Sequence, residues 1–317
     1  MLVGFSVPSF AGKKICKLAH VSSTSSVMHE ISMTFKREVE KAALNVEVQV
    51  YPAGQLGGTV AMMQGLQLDT VQIYPEFTFI WEGIVPEFKV WAVHYKFDSS
   101  AEAEKFARSP LHKQMVDKLV KKANVRIIGN VDAGAFTFLS TKAIRSIQDV
   151  KGLRNRVAQM APLMESWRAY GAKPTPLDWG EVYISMATGV IDGLDNPMLD
   201  MYAEKFHEVS KYLNYTNNLF NVFSFNTSEN FWKKLTDSEK SAFKNAIVIA
   251  NEAGKIWVDK QWGLIEKEMK SKGVEFVQTN LAGFPESIQK NISTILGNDK
   301  QAIEVYKKIM ARDYSAM

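Results

Sequence analysis

Between Lys14 and Tyr74 the hydrophobic period of the chain switches repeatedly, and few folds accommodate that. Lys14 to His20 is an apolar run of strand length, and Met28, Ile31, Phe35, Val39 and Ala42 then recur at steps of three and four, the stripe of an amphipathic helix. Val46, Val48 and Val50 alternate strictly, as a half-buried strand does. The turn-rich Pro52-Ala53-Gly54-Gln55-Leu56-Gly57-Gly58 leads into a second helix near Val60 to Leu68, and Thr70 to Tyr74 reads as a third strand. Strands that alternate with helices must run parallel, because each helix carries the chain back to the start of the next strand. The expected class is α/β, a sheet with helices on its faces.

Further along, Val125–Val131 and Phe136–Ser140 read as two strands around a small-residue crossing, Asp132-Ala133-Gly134-Ala135, where the chain is expected to enter a second lobe. Arg156 opens another strand, Pro162–Tyr170 and Glu181–Thr188 are helices, and Lys211–Tyr215 and Asn221–Asn226 are strands returning the chain to the first lobe. Ser238 to Lys272 holds no proline and keeps a helical stripe through Phe243, Ile247, Ala250, Ala253, Trp257 and Ile265. Such a helix is roughly 50 Å long, more than one small lobe requires. At 317 residues the chain is long enough for two lobes with separate cores.

Composition removes several function classes. The net charge of +4 is spread without a basic run, which argues against nucleic acid, and no apolar run is long enough to span a bilayer. The single cysteine, Cys16, excludes an internal disulfide and a cysteine-based metal cluster, and it reads as a core position in its strand. His20, His29, His94, His112 and His207 make no His-Glu-x-x-His or i, i+4 metal pair, and there is no Gly-x-Ser-x-Gly elbow. The glycine-rich loop at 54–58 lacks the lysine and hydroxyl of a phosphate-binding loop, and it is expected to be a structural turn. His20, at the end of the first strand, has a place facing a cleft, capping a helix or in the core. No enzyme chemistry and no cofactor are expected. Met1–Ala11 is small and apolar and ends in Ser9-Phe10-Ala11, which reads as the remnant of a signal peptide cut after Ala11.

The stretch from 151 to 197 is the most distinctive. Lys151-Gly152-Leu153-Arg154-Asn155-Arg156-Val157 is followed by Gly171-Ala172-Lys173-Pro174-Thr175-Pro176, then Glu181-Val182-Tyr183, then Asp192-Gly193 and Asp195-Asn196-Pro197. This order, with the Pro-Ala-Gly-Gln-Leu-Gly-Gly loop, resembles the solute-binding proteins of TRAP (tripartite ATP-independent periplasmic) transporters, over roughly residues 15 to 311. The resemblance implies a two-lobed, Venus-flytrap α/β fold with a long helix bridging the lobes. Residues 12–133 with 222–261 would form lobe I, and 134–221 with 262–317 lobe II. It also implies a periplasmic protein that captures a small organic acid and delivers it to TRAP membrane permease subunits.

By the same resemblance Arg156 is the residue that clamps the substrate carboxylate, and a guanidinium suits that task because its planar fork of donors matches both oxygens. Asn196 stands in the family's Glu-Asn-Pro position, where an amide can hold a carboxylate or hydroxyl, although an Asn-Pro pair is also a common turn. Trp179 corresponds to an aromatic residue beside the ligand; core packing is its alternative role. Gln159 is a secondary candidate. Tyr74 and Glu76 are candidates by position, since ligands of open α/β sheets bind beyond the carboxyl ends of strands. Many relatives carry a second arginine where this chain has Phe136, and Ala158 replaces the family's proline. Loss of that charge and gain of a ring favour a monocarboxylate with an apolar or aromatic body over a dicarboxylate or sugar acid. The alternatives are a sensory binding protein for an organic acid and an enzyme on a similar scaffold.

Overall fold

The computed structural model describes residues 12–42 and 44–317, so the signal-peptide reading of Met1–Ala11 lies outside the described residues. Among those residues the strands are β1 (Lys14–Ala19), β2 (Val46–Tyr51), β3 (Ile73–Phe77), β4 (Val125–Ser140), β5 (Arg154–Val157), β6 (Lys173–Pro176), β7 (Gly193–Pro197), β8 (Tyr212–Tyr215), β9 (Phe220–Ser228) and β10 (Glu275–Gln278). They join in the order β2-β1-β3-β9-β4-β7-β5-β6, with β8 on β4 and β10 on β8. As the alternation required, β1 is parallel to β2 and β3, with helices Val27–Lys41 and Thr59–Gln67 as the crossovers. A second parallel set, β6-β5-β7, forms the far end.

The two halves meet on one strand. The segments expected as separate strands, 125–131 and 136–140, are a single 16-residue strand, β4. The small residues between them keep pairing, with Asp132 opposite Val222 and Gly134 opposite Asn221, while register shifts and Gly134 (φ +77°) bend the strand. A bulge re-aims a strand without ending it, and only glycine takes that backbone conformation at no steric cost. Up to Ala135, β4 pairs with β9; from Phe136 it pairs with β7.

The third strand begins later than its apolar residues implied. Thr70 and Val71 donate back to the carbonyl of Gly65, at 2.9 and 3.2 Å, and Asp69 is left-handed, so 69–71 closes the preceding helix. Tyr74 and Glu76 consequently lie within β3 and not beyond it.

The proline-free segment is one 35-residue helix, Asp237–Ser271, started by a Thr236/Glu239 capping box. Phe243, Ala246, Ile247 and Ala250 belong to the core beneath β1, β3, β9 and the first part of β4, whereas Ile265 and Met269 belong to a second core with Leu194, Met201 and Leu213. Gly254 allows its close approach to helix Val27–Lys41: a Cβ there would sit 2.8 Å from two Ile31 side-chain carbons.

At the end of the chain, helix Lys300–Met310 packs on the 3₁₀ segment Pro86–Ala92, Arg312 pairs with Asp98 and Glu102, and Leu111 donates to the Tyr314 carbonyl. Ala302, Val305, Tyr306 and Ile309 are apolar at helical spacing and need a partner surface, and Phe88 and Trp91 lie in the same buried core.

Candidate functional site

Where the two halves of the sheet face each other they enclose a cavity of about 160 Å³. Six of the residues singled out from sequence line it: Arg156, Asn196, Trp179, Phe136, Gln159 and Glu76. Tyr74 does not. It is fully buried, and its hydroxyl lies 2.7 Å from Glu76 Oε2 and 3.1 Å from Thr59 Oγ1, so it holds Glu76 in place from behind.

Arg156 is placed by the middle of the β6-β5-β7 set, opposite Thr175 on one side and Leu194 on the other. Only 8% of its surface remains exposed. Its Nε donates to the Leu177 carbonyl at 3.0 Å, and the guanidinium sits 5.4 Å from the centroid of the Trp179 ring. Among the described residues it forms no salt bridge and neither terminal nitrogen donates a hydrogen bond. Burial lowers its pKa to about 10, against the opposing pull of Asp195, Glu76 and Asp178, so it stays charged at neutral pH. A desolvated guanidinium with free donors in a planar fork and an aromatic backing has the geometry and charge that match a carboxylate.

Arg154, by contrast, grips Asp192 through Nε at 3.1 Å and Nη2 at 2.6 Å, and its side chain is about half exposed. It takes no part in the cavity wall.

Carboxyl groups surround the rest of the pocket. Burial raises the pKa of Glu76, countered by the Tyr74 hydroxyl, the Phe77 N–H and Arg156. Asp195, beside Asn196 on β7, accepts from Asn218 Nδ2 at 2.7 Å, and burial pushes its pKa up to about 6. Asp200, on helix Met198–Ala203, is buried with no hydrogen-bond donor on either oxygen among the described residues. Burial first, then Glu204 and Glu76, raise its pKa to about 7. The Asn196 amide is likewise free of partners among the described residues and open to the cavity.

The remaining wall is apolar. Phe77 stacks on Phe223 with centroids 4.3 Å apart and meets the Phe136 edge at 5.2 Å; Phe79, Met160 and Leu163 extend this surface. Phe136 owes its position to the exchange of β4's neighbours at that residue, so its ring faces both halves. His20 also lines the cavity; its Nε2 lies 3.1 Å from His29 Nδ1, and burial, then His29, lowers its pKa to about 4. Of the places open to His20, it takes the cleft wall while remaining almost fully buried.

Asp195, Asp200 and the Phe77–Phe223 pair were not anticipated from sequence. Asp195 had a signal, adjacency to Asn196; Asp200 and the rings had none, since only packing brings them to the pocket. No set of three or more His, Cys, Asp or Glu side chains among the described residues is arranged to hold a metal ion, and no described helix is long and apolar enough to cross a membrane.

Comparisons with known proteins agree with this architecture. The family model for bacterial extracellular solute-binding proteins of family 7 matches residues 18–297. A solute-binding protein of Roseobacter denitrificans is 28% identical over 280 residues, covering 87% of this chain and 85% of its own. The sialic acid-binding periplasmic protein SiaP of Vibrio cholerae is 27% identical over 277 residues, covering 86% and 85%. The crystal structure of a TRAP periplasmic solute-binding protein from Roseobacter denitrificans with bound L-galactonate superposes with a TM-score of 0.86 at 25% identity, covering 94% of this chain and 98% of that one.

Proposed function

The chain belongs to the bacterial extracellular solute-binding proteins of family 7, a two-lobed transport family and not an enzyme family, and from that premise we propose that it is the periplasmic receptor of a TRAP transporter, carrying a monocarboxylate with an apolar or aromatic body to the membrane permease subunits. The observation that carries this reading is Arg156: a buried guanidinium, charged, unpaired among the described residues and facing an otherwise apolar and acidic cavity. The acid's carboxylate occupies the guanidinium and the Asn196 amide, with Gln159 at the rim, and its body lies between Trp179, Phe136 and the Phe77–Phe223 pair. Phe136 leaves a second carboxylate without a cation, and desolvating it there would cost free energy with no compensation.

We take residues 12–133 and 222–261 as one lobe and 134–221 with 262–299 as the other, the last helix returning to the first. Glu76 comes from the first lobe and Arg156 from the second, so a ligand touching both favours closure about the β4 crossing and the long helix. The closed lobes form the surface that the permease recognises.

A second reading, a polyhydroxylated acid such as the L-galactonate of the Roseobacter denitrificans structure, is favoured by the carboxyl groups of the cavity, which accept from hydroxyls. A thermal-shift screen of organic acids separates the two. A ligand at one hundred times its Kd stabilises by about 2.7 kcal/mol, a melting shift of a few degrees. Monocarboxylates with apolar bodies are expected to give the shifts. Responses confined to C4-dicarboxylates, sialic acids or sugar acids would overturn the proposed ligand class, and unchanged small-angle scattering on adding a hit would overturn closure.

A further inference from the structure

The cavity is unbalanced in charge. Among the described residues Arg156 is the only lysine or arginine in its wall, which also carries the carboxyl groups of Glu76, Asp178, Asp195 and Asp200. An organic acid bound to Arg156 adds one more negative charge. Three of the four carboxyl groups are provided for. Asp195 takes the Asn218 amide, Glu76 takes the Tyr74 hydroxyl and the Phe77 N–H, and Asp178 is exposed at the rim, where water solvates its carboxylate.

Asp200 is the exception. It is 5% exposed, lines the cavity, and has no donor on either oxygen among the described residues, with Oδ1 sealed from solvent. Lys255 lines a second cavity with Asp200, but its ammonium is held by Glu104 at 2.9 Å. Asp200 reaches the cavity from helix Met198–Ala203 and Arg156 from β5, and no hydrogen bond or salt bridge joins them among the described residues. A buried carboxylate without a donor is costly, and among the described residues no donor or cation is supplied to it, so without a ligand its charge is relieved by holding a proton.

Resting on the assignment of this cavity as the acid-binding site, we infer that the ligand carries a protonated nitrogen as well as its carboxylate, and that Asp200 receives the nitrogen while Arg156 receives the acid. A hydroxyl would satisfy one oxygen of Asp200 and leave its charge uncompensated. An ammonium or amidinium supplies both the donors and the countercharge, and it brings the ligand's own net charge to zero, which suits a pocket that already holds an excess of carboxyl groups. The ligand class is therefore a zwitterion with an apolar body: an amino acid or a related nitrogenous acid.

Calorimetry with matched triads tests this. L-phenylalanine, L-phenyllactate and 3-phenylpropanoate share one skeleton; 4-aminobutanoate, 4-hydroxybutanoate and butanoate share another, with the nitrogen further from the acid. In at least one triad the amino member is expected to bind roughly tenfold or more tightly than the unsubstituted acid. Asp200→Asn, which keeps the shape and removes the charge, should bring the members of that triad within about twofold of one another. The inference is overturned by a hydroxy or unsubstituted acid binding tightest in every triad, by an amino preference that survives Asp200→Asn, or by a panel in which no amino member binds. The comparison in the wild-type protein decides the matter even where the variant folds poorly. Plain acids that bind through Arg156 while amino members do not would leave the acid-binding site standing and remove only the zwitterion; loss of the Arg156 dependence would remove the site itself.

Discussion

Arg154 and Arg156 stand two residues apart on β5, carry the same fork of donors, and do opposite things. At the exposed start of the strand, Arg154 spends its donors on Asp192 and the Gly189 carbonyl, and the Asp192 pairing raises its pKa. At the buried end, Arg156 keeps one bond, to Leu177, and burial lowers its pKa. The difference lies in what each arginine was given to pair with. A half-exposed guanidinium beside a carboxylate that accepts from both its Nε and Nη2 spends its donors within the protein. One sealed among rings, with carboxyls near enough to stabilise its charge but not bonded to it, remains available to a ligand.

The comparison is broken most severely by Arg156→Ala. Leaving a buried ligand carboxylate without its cation costs about 2–5 kcal/mol, so calorimetry with the best acid from the screen should show at least a ~30-fold loss of affinity. Arg156→Lys should restore only part of it, because the point charge lacks the fork. A native affinity in Arg156→Ala would end the distinction between the two arginines.

Next in size is Phe136→Arg, which places a second guanidinium where β4 changes neighbours. The ratio of succinate to monocarboxylate affinity, measured by competition, is expected to rise roughly tenfold or more. An unchanged ratio would mean that Phe136 does not set the number of charges the pocket accepts.

Asp200 sharpens the comparison from the acidic side. Its pKa is raised in the folded protein from 3.8 to about 7, so the folded state holds this proton more tightly than the unfolded one. The group's contribution to stability is therefore greatest below the unfolded value and is lost as the pH rises through about 7. Without ligand, Asp200→Asn should melt a few degrees above wild type at pH 8, and the gap should close towards pH 4. A gap that widens on acidification would reverse the assigned direction.

The smallest effect on binding belongs to Arg154→Ala. Its guanidinium is about half exposed and lies outside the cavity wall, but its partner Asp192 is buried. Affinity for the acid should stay within about twofold of wild type, while differential scanning calorimetry should show a lower melting temperature, because Asp192 loses its cation. A large loss of binding would place Arg154 in the site.

Much of this was legible along the chain because it depends on neighbours in sequence. The period of Met28 to Ala42 and the strict alternation of Val46, Val48 and Val50 reflect which side of one element is buried, and the elements follow. The stripe from Phe243 to Ile265 likewise announced a helix long enough to serve two cores. Arg156, Asn196 and Trp179 lie within one ordered run of motifs, and the structure brings all three to one cavity.

Other features had no local sign. Whether residues 132–135 end a strand depends on β9, nearly ninety residues later, supplying ladder partners. Tyr74 lies behind Glu76 instead of beside the ligand because Asp69 to Val71 spend their backbone on closing a helix, moving the strand start to Ile73. Helix Lys300–Met310 shows its apolar stripe in sequence, but which half receives it is decided by the surface left open at Pro86–Ala92. Asp200 is an unremarkable aspartate in sequence; its isolation comes from the several elements that bury it and bring no donor. Periodicity and motif order are properties of short segments and can be read from the chain alone. The availability of a charge depends on every group folded around it, and only the tertiary structure sets that.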